Sequence, residues 1–282
     1  MRAPPRPLPG LAVWFARTFV GFVRRELAAM SGYRAAFLTR FAGFAVAVVS
    51  MVFFARFVGA AANPHMAAYG GNYLGFLAIG YLATELQTVG IQGLARRVRT
   101  SQIMGTLEAE LATPAPAWMV LAAAPVYEFG TSALRSAVYL FGATLLVGLD
   151  LGRTNALTVI VAVPLVLAAF VGLGLFTAGS TMLVRRTNPV SIILGSLSLF
   201  VSGVMYPVSV LPSWLRVVGR ALPLTHVLVV LRGAFLSGAS PSAVGGSLAA
   251  LAIFAAVLIP AGAATFAYAL RRARIDGSLS HY

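Results

Sequence analysis

Three ionisable residues lie inside long apolar runs of this sequence: Glu85, Glu128 and Arg135. A charge in such surroundings costs about 2.5 to 3.5 kcal/mol on insertion scales, so each should face a polar path or an ionic partner. Glu128 and Arg135 share one helical face but are separated by about two turns. We consider a pathway for a substrate or protons and a structural ion pair between helices. The ion pair is favoured, because proton-relaying transporters carry more intramembrane acids.

Residue patterns that support enzyme chemistry do not occur. A Walker A phosphate loop needs a lysine that reaches the β- and γ-phosphates, and all 21 basic residues of this chain are arginine. The chain has no cysteine, and its three histidines are too scattered in sequence for a dense metal site. HExxH and GxSxG motifs are also missing. The sequence therefore predicts a protein that is not an enzyme, with no catalytic and no metal-binding residues.

The composition indicates a membrane protein. Hydrophobic residues make up 59% of the chain, charged residues only 10%, and the mean hydropathy is +0.88. Apolar runs recur with about the 20 residues that a membrane-spanning helix needs, and they lack the alternation of barrel strands. The predicted fold is an all-α membrane protein with six transmembrane helices. The six spans are expected at residues 36–58, 73–94, 118–148, 155–184, 190–211 and 244–270.

The arginines predict the orientation of these spans. Fifteen of the 21 fall on the side that holds both termini and the loop between spans 2 and 3. The positive-inside rule then places both termini in the cytoplasm of a multi-pass protein of the cell inner (cytoplasmic) membrane. Because the net charge of +14 reflects this asymmetry, nucleic acid is not expected as a partner. Membrane lipid is.

The chain divides into three predicted parts. Residues 1–34 are a Pro-rich cytoplasmic lead-in followed by an amphipathic interfacial helix at about 11–30, with arginines toward lipid headgroups. Residues 35–275 form the transmembrane domain, and residues 276–282 form a cytoplasmic tail. Within the domain, the outer segment 204–238 is too apolar for a solvated loop, yet its prolines interrupt it below spanning length. We predict that it forms short re-entrant outer helices between spans 5 and 6.

The segment 96–116 has the pattern of a cytoplasmic docking element. Its "RRVR" can lie at the lipid headgroups, and Thr100 or Ser101 is predicted to cap a short helix that ends before the following prolines. Met104, Leu107 and Leu111 would share one apolar face of this helix, with Glu108 and Glu110 toward the cytosol. Such a helix offers a surface to a cytoplasmic partner.

Two motifs resemble the signatures of the ABC-2 type permease family. "MGTLEAELATPAP" is similar to the G-T-L-E-x-x-x-x-T-P signature before span 3, and the 202–238 segment is similar to the second signature, after span 5. The resemblance implies an ATPase-coupling element, which comprises Gly105, Thr106, Leu107, Glu108, Leu111 and Pro114. It also implies outer re-entrant helices that close the exit, shaped by Gly203, Pro207, Pro212, Trp214 and Pro223.

The resemblance further implies an export permease. Such a chain carries an amphipathic, drug-like or lipid-linked substrate, pairs with a second permease copy as an expected homodimer, and binds two nucleotide-binding subunits. ATP and Mg²⁺ then belong to the partner subunits, which agrees with the missing lysine. An ion-gradient-driven secondary transporter is the alternative, and a structural membrane scaffold is a weaker one. A secondary transporter predicts inverted repeats and broken midplane helices, and neither is clear in this sequence.

Overall fold

The computed structural model describes three main stretches of the chain, residues 73–105, 151–183 and 189–275. It also describes helical residues at 21, 46, 49–50, 52–57, 129–130, 132, 136–137, 140–142 and 144. All regular elements in these parts are helical, and they contain no strand. The all-α class is therefore confirmed for the described residues. The predicted interfacial helix at 11–30 and most of the predicted spans 36–58 and 118–148 lie outside them.

Six α-helices occupy the main stretches. They are α1 (Tyr73–Ile103), α2 (Ala156–Leu183), α3 (Pro189–Val201), α4 (Ser213–Arg220), α5 (Pro223–Leu236) and α6 (Gly245–Ile275). Three of them, α1, α2 and α6, are long and apolar enough to cross a membrane. Helices α4 and α5 meet at 87° and give a fourth crossing if they count as one broken span. The described residues thus contain three to four candidate spans, and six are not shown.

Helix α1 continues nine residues beyond the predicted end of span 2, from Leu94 to Ile103. No helix breaker interrupts this stretch, and Leu94 and Val98 pack in a buried cluster with side chains of α2 and α6. The predicted helix start at Thr100 or Ser101 is therefore wrong. Both residues lie inside α1, and Ser101 is buried.

Helix α3 is shorter than the predicted span 190–211. It has 13 residues, a length of about 20 Å, and ends at Val201. Beyond its end, Gly203 adopts a φ of +83°, which a helix cannot contain, and Pro207 precedes a short 3-10 helix, Val208–Val210. The predicted C-terminal half of span 5 is wrong for this reason.

The centre of the bundle is α2, which packs against both α1 and α6. Small residues allow these contacts, as the row of alanines and glycines in span 4 indicates. A Cβ on Gly174 would lie 2.4 Å from the carbonyl oxygen of Gly90 in α1. Similarly, a Cβ on Gly172 would lie 2.7 Å from the carbonyl carbon of Leu258 in α6. The glycines therefore fix the spacing of three helix backbones.

The α2–α6 contact predicts that Gly172→Ala destabilises the helical bundle. The added methyl group meets backbone atoms of α6, which cannot move without separating the helices, so we expect a loss of roughly 1 to 3 kcal/mol. The matched control is Gly195→Ala in α3, where a Cβ would meet none of the described residues within 4 Å. Thermal unfolding in detergent, followed by tryptophan fluorescence, should show a lower midpoint for Gly172→Ala alone. Equal midpoints would contradict the spacing role.

Candidate functional site

The polypeptide between α3 and α4 leaves regular structure inside the protein. Ser202, Gly203 and Val204 are all buried. A Cβ on Gly203 would lie 2.6 Å from Cγ2 of Val208 and 3.0 Å from the carbonyl oxygen of Tyr206. Only glycine fits here, because the positive φ and the close neighbours both exclude a side chain. We call residues 200–205 the helix break.

The helix break presents backbone carbonyl groups that no helical N–H can satisfy, and Arg232 of α5 donates to two of them. Its Nη1 donates to the carbonyl oxygen of Gly203 at 2.8 Å, and its Nη2 to that of Val204 at 2.7 Å. Its guanidinium also donates to the carbonyl oxygen of Phe76 in α1, from Nη2 at 3.2 Å and from Nε at 3.4 Å. The Arg232 side chain is 3% exposed.

The ring of Phe76 completes the surroundings of this guanidinium. The Cζ atom of Arg232 lies 3.3 Å from the ring centroid, which is a cation–π contact in a site removed from solvent. One buried arginine thus joins α1, α5 and the helix break. Arginine suits this role because its planar fork donates in several fixed directions and its charge is weakly hydrated.

Two tyrosines donate to two further carbonyl groups of the helix break. The hydroxyl of Tyr73, in the first turn of α1, donates to the carbonyl oxygen of Met205 at 2.9 Å. The hydroxyl of Tyr206 donates to the carbonyl oxygen of Phe200. Buried backbone carbonyls without donors are costly, so these side chains stabilise an irregular turn within a helical protein.

Glycine in α1 makes this arrangement possible. A Cβ on Gly80 would lie 2.6 Å from the carbonyl oxygen of Val204 and 3.1 Å from Nη2 of Arg232. Any larger residue would push α1 away from the helix break. The close approach therefore depends on one missing methyl group.

The outer helix pair, α4 and α5, follows directly. Helix α5 begins with Pro223. Proline is favoured at the first position of a helix, because a backbone N–H there would have no partner within the helix. In its first turn, the Thr225 hydroxyl donates to the carbonyl oxygen of Gly219 at 2.6 Å, and His226 Nε2 to that of Arg220 at 3.0 Å. These bonds occupy carbonyls at the end of α4 and hold the bend.

The predicted outer residues lie at or next to the ends of the elements between α3 and α5. Gly203 and Pro207 are buried at or beside the helix break, Pro212 directly precedes α4, and Trp214 is exposed on α4. Pro223 is buried at the start of α5.

The other predicted site residues lie elsewhere. Gly105 has a φ of +66° and follows the last turn of α1, while Thr106, Leu107, Glu108, Leu111 and Pro114 lie outside the described residues. Glu85 is partly buried on α1, five residues beyond Gly80, and Glu128 and Arg135 are outside the described residues. No group of three or more His, Asp or Glu in the described part of the chain could hold a metal ion.

Sequence reasoning missed the role of Arg232. Arg232 lies in the segment 204–238, which the sequence places on the outer side, and an arginine near a helix end usually reaches headgroups or water. The signal that could have found it is its position within the apolar run "THVLVVLRGAFL". An arginine that follows a run of valines and leucines and precedes Gly233, Ala234 and Phe235 has no polar face to occupy, so it must find its partners inside the protein.

A family model described as ABC-2 type transporter matches residues 18–236 of the chain. The chain belongs to the ABC-2 type transporter family. The match contains α1, the helix break and the outer helix pair, and it ends at the last residue of α5. Among curated proteins, no match is found.

Membership of this family makes the ABC-2 chain a multi-pass membrane subunit of an ABC transporter. Permeases of this family typically lack an ATPase site of their own and pair with nucleotide-binding subunits, where ATP binds. The sequence also predicts that ATP is hydrolysed on partner subunits, in agreement with this property of the family. The alternative of a transporter driven by an ion gradient has no support from the family.

The buried guanidinium predicts that Arg232→Met destabilises the ABC-2 chain more than Arg232→Lys does. Methionine leaves the carbonyls of Gly203 and Val204 without donors, at a cost of roughly 2 to 4 kcal/mol. Lysine keeps the charge but lacks the fork, so its effect should be intermediate. The measurement is the unfolding midpoint in detergent.

Arg216→Met serves as the matched control for this series. Arg216 is exposed on α4, and its Nε donates to one carbonyl oxygen, that of Leu211. A surface substitution of this kind changes stability by about 0.5 kcal/mol or less. If Arg216→Met and Arg232→Met lower the midpoint equally, the carbonyl network does not hold the helix break.

Proposed function

We propose that this chain is the permease subunit of an ABC exporter that moves an amphipathic, drug-like or lipid-linked substrate across the cytoplasmic membrane. Hydrolysis of Mg²⁺-bound ATP on two separate nucleotide-binding subunits drives it. A second copy of the chain completes the transport path as a homodimer, and both termini lie in the cytoplasm. Family membership and the arginine distribution support this proposal.

The coupling element of the proposed exporter begins where α1 ends. The family signature starts at Gly105, and Gly105 follows the last helical turn with a positive φ. A sharp end of this kind separates a rigid helix from the segment that would sit against the ATPase. The coupling role is assigned to Gly105, Thr106, Leu107, Glu108, Leu111 and Pro114.

The observation that carries the proposal is the continuity of α1. Its 31 residues extend without interruption over about 46 Å. Near one end, Phe76 and Gly80 contact Arg232 and the helix break, and the other end reaches the coupling signature. A packed helix moves as a rigid element, so displacement of the coupling element would shift the helix break and the outer helix pair.

The outer helix pair would then act as the exit gate. Gly203 and Pro207 shape the turn that leads into the pair, and Pro223 starts α5 at the 87° bend between α4 and α5. Trp214, 66% exposed, offers an aromatic surface of the kind found at membrane interfaces. For the intramembrane charges Glu85, Glu128 and Arg135, we propose a structural role between helices.

Glu108→Arg tests the coupling element in a reconstituted complex with the nucleotide-binding subunits. Reversing the charge at a docking surface places like charges together and costs several kcal/mol. Since about 1.4 kcal/mol is a factor of ten, substrate-stimulated ATP hydrolysis should fall at least about tenfold. Folding of the permease, measured by its unfolding midpoint, should stay unchanged.

Glu110→Arg is the matched control, with the same charge change two residues away, at a position where the family signature specifies no residue. It should keep most of the stimulated hydrolysis. Wild-type transport by Glu108→Arg would reject the coupling assignment. The mass of the purified complex separately checks the stoichiometry of two permeases and two nucleotide-binding subunits.

A further inference from the structure

A cavity of about 680 Å³ lies between α1, α2, α5 and the helical residues described at 129–140. Its volume falls within the range of about 300 to 1,000 Å³ that is typical of ligand sites. Helix α2 contributes residues from Val159 to Val171, and α5 contributes Leu231 and Phe235. Among the lining residues that the structure describes, Ser136 is the one polar side chain, and none is charged. The cavity therefore suits a hydrocarbon.

The cavity reaches from the surface of the bundle to its core. Val163, in the middle of the α2 wall, is 42% exposed, whereas Val166, one turn further along, is 1% exposed. An apolar ligand can enter at Val163 without crossing a polar barrier. In a membrane protein, the molecules at such a surface are lipids.

The length of the cavity matches one leaflet. From Val159 to Val171 the α2 wall rises about 18 Å, and one half of a bilayer's hydrocarbon core is about 15 Å thick. The wall starts three residues after the first residue of α2, close to the end of that helix. A chain that enters from one leaflet fits this depth, whereas a path across the membrane would be about twice as long.

We propose that the cavity binds one acyl chain of a bilayer phospholipid as a resident lipid. The headgroup stays outside, because the lining residues provide no charge for it. Apolar cavities do not hold water, so hydrocarbon fills the space that side chains leave open. The bound chain packs against Leu231 and Phe235, beside Arg232 in α5. It thereby supports the helix that carries the guanidinium of the helix break.

The cavity-filling variant Val163→Trp tests this site in the full-length chain. The permease alone is purified from nanodiscs of one phosphatidylethanolamine species, and retained lipid is counted by native mass spectrometry. The tryptophan side chain takes the space of about two methylene groups of the acyl chain, and their loss weakens lipid binding about tenfold. The retention of one lipid per permease should therefore fall by at least that factor. Ile160→Trp is the matched control, on the same helix, 68% exposed and outside the cavity lining.

Equal lipid retention by wild type, Val163→Trp and Ile160→Trp would overturn the proposal. Val163→Phe, a milder filling, provides the same comparison if the tryptophan variant does not fold. Wild-type protein with a photoreactive acyl chain should carry label on α2 between Val159 and Val171. If the label on these residues disappears during ATP hydrolysis, the bound lipid is cargo. If a second copy of the chain covers Val163, no label is found there. Either result contradicts a resident lipid. The permease measurement needs no ATPase, so its outcome is independent of the proposed export function.

Discussion

Backbone carbonyl groups that are buried where a helix ends need hydrogen-bond donors, and this requirement organises the structure around residues 200–205. Because α3 ends at Val201, the residues that follow it do not supply helical N–H groups to the carbonyl groups of this turn. Arg232, Tyr73 and Tyr206 supply the donors, and the first two of them come from α5 and α1. The irregular turn is therefore the point at which three helices are joined. Position 80 must therefore be glycine, because the guanidinium of Arg232 and the turn occupy the volume that a side chain would need.

This junction gives a physical meaning to the length of α1. A helix that ended at the apolar boundary near Leu94 would stop short of the signature that starts at Gly105. The polar turns that follow are held because Val98 and Ser101 are buried against the rest of the bundle. One continuous helix therefore connects the helix break with the segment in which the first family signature begins, as the proposed transmission of a mechanical displacement requires.

Some of this architecture could be predicted from the sequence, and the reasons differ by element. Apolar length gave α1, α2 and α6, and the small residues of α2 correctly indicated close packing, because both are properties of single helices. The end of α3, the extension of α1 and the role of Arg232 depend on contacts between residues far apart in the chain. No periodicity within "RRVRTSQI" distinguishes a packed helical extension from a separate capped helix. Similarly, the prolines of the outer segment indicated a bend but not the partners that hold it.

The position of α6 has a consequence for how the protein can be divided. The recognised family region stops at residue 236, yet α6 begins at Gly245 and its backbone lies against the glycines of α2. Gly172 and Gly179 of α2 have no side chains that could cover the resulting groove if α6 were removed. A fragment trimmed to the recognisable domain would thus present bare helix backbone to lipid. The region that sequence comparison matches is therefore smaller than the helical bundle in which it packs.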